Sequence, residues 1–162
     1  MNFSTELQSK YPTKRYITEQ AVVMEKVKGA MYHIPQRVTT PETAFHTIMG
    51  IKNLERETQE VFGVIALDTK HKVVGFDILH RGTINASIVH PRDIYKALLL
   101  RNAACFICFH NHPSGVPEPS YEDKMVTERL VEAGKLIGIE LLDHIITGDD
   151  GKFFSFKEGG LM

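Results

Sequence analysis

The segment that most constrains this chain runs from Ala103 to Ser120, AACFICFHNHPSGVPEPS. Its first seven residues are an uninterrupted apolar run, which reads as a strand buried on both faces and therefore calls for a layered sheet. The next eleven, HNHPSGVPEPS, hold three prolines and one glycine. That composition denies regular structure and imposes an ordered loop, the kind of segment on which function concentrates. Cys105 and Cys108 form a C-x-x-C inside the strand. Residues three apart on a strand point to opposite faces, so neither a disulfide nor a shared metal is expected, and both thiols read as core packing.

The rest of the chain is organised around this strand. With 162 residues, 43% hydrophobic and 24% charged, it is one ordinary globular domain rather than a disordered or disulfide-stapled chain. Residues 1–36 read as an extension with an added strand or two over residues 15–27, and residues 37–162 as the domain proper. Thr40-Pro41 supplies an N-cap and a first-turn proline for a helix through about residue 51, with Ala44, Ile48 and Ile51 on its buried face. VFGVIALD and VVGFDIL, joined by the turn-like TKHK, predict a hairpin of central strands. His90-Pro91 opens a second helix that buries Ile94, Ala97 and Leu98. Val126, Leu130, Ala133 and Ile137 mark a third, stopped by Gly138, and IELLDHIIT and KFFSF follow as strands. Helices between strands with a hairpin at each end predict a mixed α/β (α+β) sheet rather than a doubly wound parallel one.

Nineteen Lys+Arg against 20 Asp+Glu leave a formal charge of -1. A chain whose affinity rests on many phosphate contacts would be basic, so nucleic acid is not expected as a tight direct ligand. Residues 1–15 contain no apolar leader core and the chain has no 18-residue apolar run, so neither export nor membrane spanning is expected and the default compartment is the cytoplasm.

The chemistry points to the loop. His110 and His112 are i and i+2, and in extended backbone such side chains project to the same side. Asp123 follows 11 residues after His112, where the loop gives way to a helix, so the loop can fold the carboxylate back toward the two rings. Two imidazoles and a carboxylate with no fourth protein ligand suit Zn2+ with a position left open for water. Ser120-x-x-Asp123 is also a capping box, which needs no metal. The two readings are compatible, because a residue in the first helical turn can cap and ligate at once.

The string HNHPSGVPEPSYED, His110 to Asp123, resembles the H-x-H followed by S-x-x-D signature of the JAMM (MPN+) metalloproteases. With VHPRDIYKALLLRNAA before it and LLDHIITG after it, the similarity is to the bacterial RadC-like, JAB-domain branch, over residues 37 to 160. The resemblance implies the MPN, deaminase-like fold: a mixed β-sheet flanked by helices. It further implies zinc as cofactor, His110, His112 and Asp123 as its ligands, Ser120 assisting the oxyanion, and an upstream Glu as acid/base. Spacing does not rank Glu55, Glu57 and Glu60. The family pattern puts the acid directly before a Val-Phe strand start, which here selects Glu60. Asp143-His144 also matches the branch, and His144 reads as a supporting residue because a fourth protein ligand would close the site.

The implied activity is hydrolysis of a peptide or isopeptide bond by metal-activated water on a protein or peptide substrate. The alternative is a non-proteolytic interaction module in DNA repair or in phage or plasmid DNA metabolism. Longer RadC-like proteins carry a helical region ahead of the domain that residues 1–36 do not resemble, and the neutral charge does not favour that alternative. An HNH nuclease spreads its histidines over a ββα motif, and a zinc deaminase wants C-x-x-C beside His-x-Glu. Neither pattern is present.

Overall fold

The computed structural model of the chain describes Lys10, Thr13, residues 29–85 and residues 88–162. The strands expected over residues 15–27 lie outside these. Helix α1, Pro41–Ile51, starts where the sequence places it: the Thr40 hydroxyl accepts from the Thr43 N–H, and the Thr43 hydroxyl accepts from the Thr40 N–H. After a 3-10 turn at Leu54–Arg56 come strands β1, Val61–Leu67, and β2, Val73–Arg81. Asp68 closes their turn by accepting from the Lys70 and Lys72 N–H groups. Helix α2, Pro91–Leu100, leads to β3, Cys105–Asn111. Helix α3, Tyr121–Ile137, ends at Gly138, whose φ of 80° is the left-handed stop that glycine adopts without strain, and β4, Glu140–Thr147, and β5, Phe153–Ser155, complete the sheet.

The strands lie in the order β2-β1-β3-β4-β5. β3 runs parallel to β4 through the α3 crossover, and the other pairs are antiparallel, so this is a mixed sheet. Side chains alternate across it. Phe62, Val64, Phe106 and Cys108 meet Ile94 and Leu98 of α2 and Val126 and Leu130 of α3 on one face. Val61, Ile65, Ile107, Phe109 and Ile145 meet Ala44 and Ile48 of α1 on the other. β3 is buried along its whole length, and Cys105 and Cys108 fall in opposite cores as free thiols.

Three expectations change. Among the described residues only β1 of the first hairpin is central: β3 takes the other side of β1, whereas β2 pairs with β1 alone and so forms the sheet edge. The Arg101 side chain lies across Gly75 on this edge and bridges Asp77 at 2.7 Å, placing a charge where another strand would otherwise add. β3 also continues through His110 and Asn111, which were expected to be loop, since the parallel ladder with Ile146 and Thr147 extends that far. Finally, Ile137 is exposed at the end of α3, beyond the reach of the sheet, while Ala97 and Ala133 are half-buried. Among the described residues no helix is long and apolar enough to cross a membrane.

Candidate metal centre

The site forms where the end of β3 meets the start of α3. His110 is the sixth residue of β3, paired with Phe62 of β1 and Ile146 of β4, and is fully buried. The His112 N–H continues the ladder by donating to the Thr147 carbonyl at 2.9 Å, which keeps the backbone extended and puts both imidazoles on the α3 side. The proline-rich loop then turns at Gly115, whose carbonyl accepts from the Asp149 N–H beyond β4. Gly148 allows this close approach, because a Cβ there would meet the Gly115 carbonyl oxygen. Docked in this way, the loop delivers Ser120 and the first turn of α3 back to the two histidines.

The ligating atoms converge. His110 Nε2 and His112 Nε2 are 3.1 Å apart, and Asp123 Oδ1 and Oδ2 lie 3.1 Å and 3.4 Å from them respectively. Ligands about 2.0–2.1 Å from a tetrahedral Zn2+ are separated from one another by about 3.3 Å, so this spacing fits a single ion. The His112 Nδ1 lies 2.8 Å from the Val116 carbonyl. A carbonyl only accepts, so Nδ1 carries the proton and Nε2 turns its lone pair toward the cluster, the usual backing of a metal-binding imidazole. Between these acceptors must sit either a cation or a proton, and the proton would be carried on His112 Nε2. The donor set therefore fits a metal ion, and His110, His112 and Asp123 form a group able to hold one.

The electrostatics follow from the same contacts. Burial alone would raise the Asp123 carboxyl, but the two imidazoles and the Ser120 donors packed around it hold it well below the usual carboxylate range. Asp123 accepts from His112 Nε2 when that ring carries a second proton, which raises His112 against the opposing effect of burial, so that a proton competes with a metal ion for this nitrogen. Burial keeps His144, enclosed by Phe62 and Phe156, neutral. Asp123 also closes the expected capping box: Oδ2 accepts from the Ser120 N–H at 2.8 Å and the Ser120 hydroxyl at 2.7 Å, while the Asp123 N–H donates to Ser120 Oγ at 3.1 Å.

The three upstream acids separate. Glu57 bridges Lys52 and Arg81 at 2.6 and 2.7 Å, and Glu55 accepts from the Gly151 N–H. Glu60 lines an open cleft of about 480 Å³ together with His112, Ser120, Asp123 and the Thr83–Asn85 segment. Its Oε2 accepts from the Ile84 N–H at 2.8 Å.

Two residues that sequence reasoning did not single out hold this arrangement. Asn111, between the two histidines, faces the other side of the sheet, where Oδ1 accepts from the Val61 N–H at 2.7 Å and Nδ2 donates to the Gln59 carbonyl at 3.1 Å. It thus grips the chain on both sides of Glu60. Its signal was a polar residue at an inward-facing strand position. Thr127, one helical turn after Asp123, contacts both the Asp123 carbonyl and His144. Its signal was the i, i+4 spacing from the acid. His144 stands behind His110, 2.8 Å from its Nδ1, and supports that ring from the side away from His112 and Asp123.

A mixed sheet with a His-x-His at the end of a central strand and an acid in the next helical turn is a JAB/MPN-type domain with a candidate metal centre. The chain belongs to the RadC-like JAB domain family, whose model matches residues 38–161. It is similar to UPF0758 proteins of Bacillus licheniformis (52% identical over 122 residues, 75% of this chain and 53% of the relative), Methanosarcina mazei (46% over 128 residues, 79% and 55%) and, under the name YsxA, Bacillus subtilis (48% over 125 residues, 77% and 53%). The chain thus spans about half the length of the curated relatives it matches.

Proposed function

We propose that this chain is a zinc-dependent metallopeptidase that hydrolyses a peptide or isopeptide bond. The observation that carries the reading is the convergence of two imidazoles and a carboxylate beside an open cleft that also presents Glu60 and Ser120. His110, His112 and Asp123 would hold the zinc ion, which would supply a Lewis acid able to acidify a bound water. Glu60 accepts the proton at Oε1, its Oε2 being held by the Ile84 N–H, and returns it to the leaving amine. The Ser120 hydroxyl turns from Asp123 Oδ2 to the developing oxyanion, a contact of about 3 kcal/mol, while the Ser120 N–H keeps the carboxylate in place. The cleft is lined by Glu60, Glu122 and Asp123 and by no Lys or Arg among the described residues, which favours an uncharged amide over a phosphodiester.

The test is digestion of peptide and isopeptide libraries by the zinc-loaded chain, read by mass spectrometry. Glu60→Gln is expected to keep its zinc and lose about 10²- to 10⁴-fold in turnover, the range for a general acid/base. Glu57→Gln is expected to stay active. The reverse pattern overturns the choice of acid. Zinc binding without cleavage of any library leaves the non-proteolytic interaction module as the reading.

A further inference from the structure

His110 is fully buried, and the neighbours it touches decide which of its nitrogens carries the proton. Thr127 Oγ1 lies 2.7 Å from the Asp123 carbonyl and 2.7 Å from His144 Nδ1. A hydroxyl has one proton and a carbonyl only accepts. With that proton given to the Asp123 carbonyl, Oγ1 must accept from the His144 Nδ1–H. The neutral His144 then has a bare Nε2, which accepts from the His110 Nδ1–H at 2.8 Å. His110 is left with its lone pair on Nε2, the atom that faces His112 Nε2 and Asp123 Oδ1. The competing polarity sends the Thr127 proton to His144 and reverses each bond after it. His110 would then carry its proton on Nε2, donated to Asp123 Oδ1, and that proton would fill the ligand position.

We infer that Thr127 and His144 are positioning residues that set the tautomer of His110, presenting its Nε2 lone pair to the metal position before an ion arrives. The two histidine ligands are prepared by different means. His112 takes its tautomer from a backbone carbonyl four residues away in its own loop. His110, at the end of a buried strand, meets His144 Nε2 at its Nδ1 and takes its tautomer through β4 from α3. The anchor of the relay is the main-chain carbonyl of the third ligand, Asp123. The first turn of α3 therefore supplies both the carboxylate and the hydrogen-bond acceptor that readies His110. This inference rests on the metal-site reading proposed above.

Long-range 1H–15N correlation on the full, zinc-free chain with 15N-labelled histidine reads the tautomer directly. The expected pattern for His110 is a protonated Nδ1 and a bare Nε2, and a protonated Nε2 overturns the inference. Zinc affinity measured by chelator competition is the second readout, with melting temperature recorded alongside. Thr127→Val swaps the hydroxyl for a methyl at nearly equal volume and is expected to weaken zinc binding about 10- to 100-fold, the usual effect of losing such a supporting partner. Thr127→Ser is expected to restore it. A Thr127→Val chain that binds zinc like the wild type, or a Thr127→Ser chain as weak as Thr127→Val, overturns the inference. Should His144→Leu fail to fold, the Thr127 pair still decides. A wild-type chain that binds no zinc overturns the metal reading instead, whereas normal zinc binding with an Nε2–H on metal-free His110 overturns the relay alone.

Discussion

Replacing Asn111 by alanine separates the two halves of the site. The side chain is 3% exposed and makes two hydrogen bonds, from the Val61 N–H and to the Gln59 carbonyl. In Asn111→Ala the Val61 N–H, on a fully buried residue, loses its acceptor, at a cost of about 1–3 kcal/mol. The Gln59 residue is exposed, so its carbonyl regains water at little cost. The side-chain atoms removed leave a small void worth about 1 kcal/mol more. Together these predict a loss of about 2–4 kcal/mol, a large part of the ~5–15 kcal/mol by which domains are stable. At roughly 2–4 °C per kcal/mol for a chain of this size, the melting temperature should fall by about 4–16 °C. Urea unfolding followed by circular dichroism measures it: the midpoint should drop with an unchanged slope, and the Val61 amide should lose its exchange protection. Zinc content should be retained, because Asn111 faces away from the imidazoles. A loss under about 1 kcal/mol refutes the clamp. Zinc lost in proportion to stability refutes its assignment to β1 and Glu60 rather than to the histidine strand.

Protein purified without added metal should contain close to one zinc per chain by elemental analysis, falling sharply in His112→Ala, and a folded protein that is purified metal-free and takes up no added zinc would leave Asp123 as a helix cap only. Because the hydrogen bond to Asp123 raises His112 and a proton on Nε2 occupies the ligand position, zinc affinity should fall by about tenfold per pH unit below that raised value, and Asp123→Asn should move the onset to lower pH. Affinity that is flat between pH 8 and pH 5.5 would contradict this. Duplex DNA should bind no tighter than ~10⁻⁴ to 10⁻⁶ M at physiological salt, as expected of a chain with formal charge -1, and a nanomolar, sequence-selective complex in a gel-shift assay would favour the DNA-associated alternative.

Much of the fold was legible because its signals are local. Thr40-Pro41, Ser120-x-x-Asp123 and Gly138 mark helix ends through contacts within four residues, and the unbroken apolar run before His110 marks a strand covered on both faces. The separation of Cys105 from Cys108 follows from strand alternation alone, as does the shared side of His110 and His112. What escaped notice depends on partners far along the chain. Whether β2 is central or an edge is decided by whether another strand pairs along its side away from β1. The extension of β3 through Asn111 is decided by β4, more than 30 residues later in the chain.

The candidate site divides in the same way. The sequence by itself determined which residue types are available to a metal and that a proline-rich loop returns Asp123 toward His110 and His112, since these are matters of spacing and backbone restriction. Only the tertiary structure decided that Glu60 enters the cleft while Glu57 is held by Lys52 and Arg81, because three acids within six residues differ by which way a turn carries them. It also decided that His144 backs His110. Hydrogen bonds need heavy atoms within about 3.5 Å and a suitable angle, and the separation of 34 positions between those histidines is closed to that distance by the packing of β3 against β4 and by nothing within either segment.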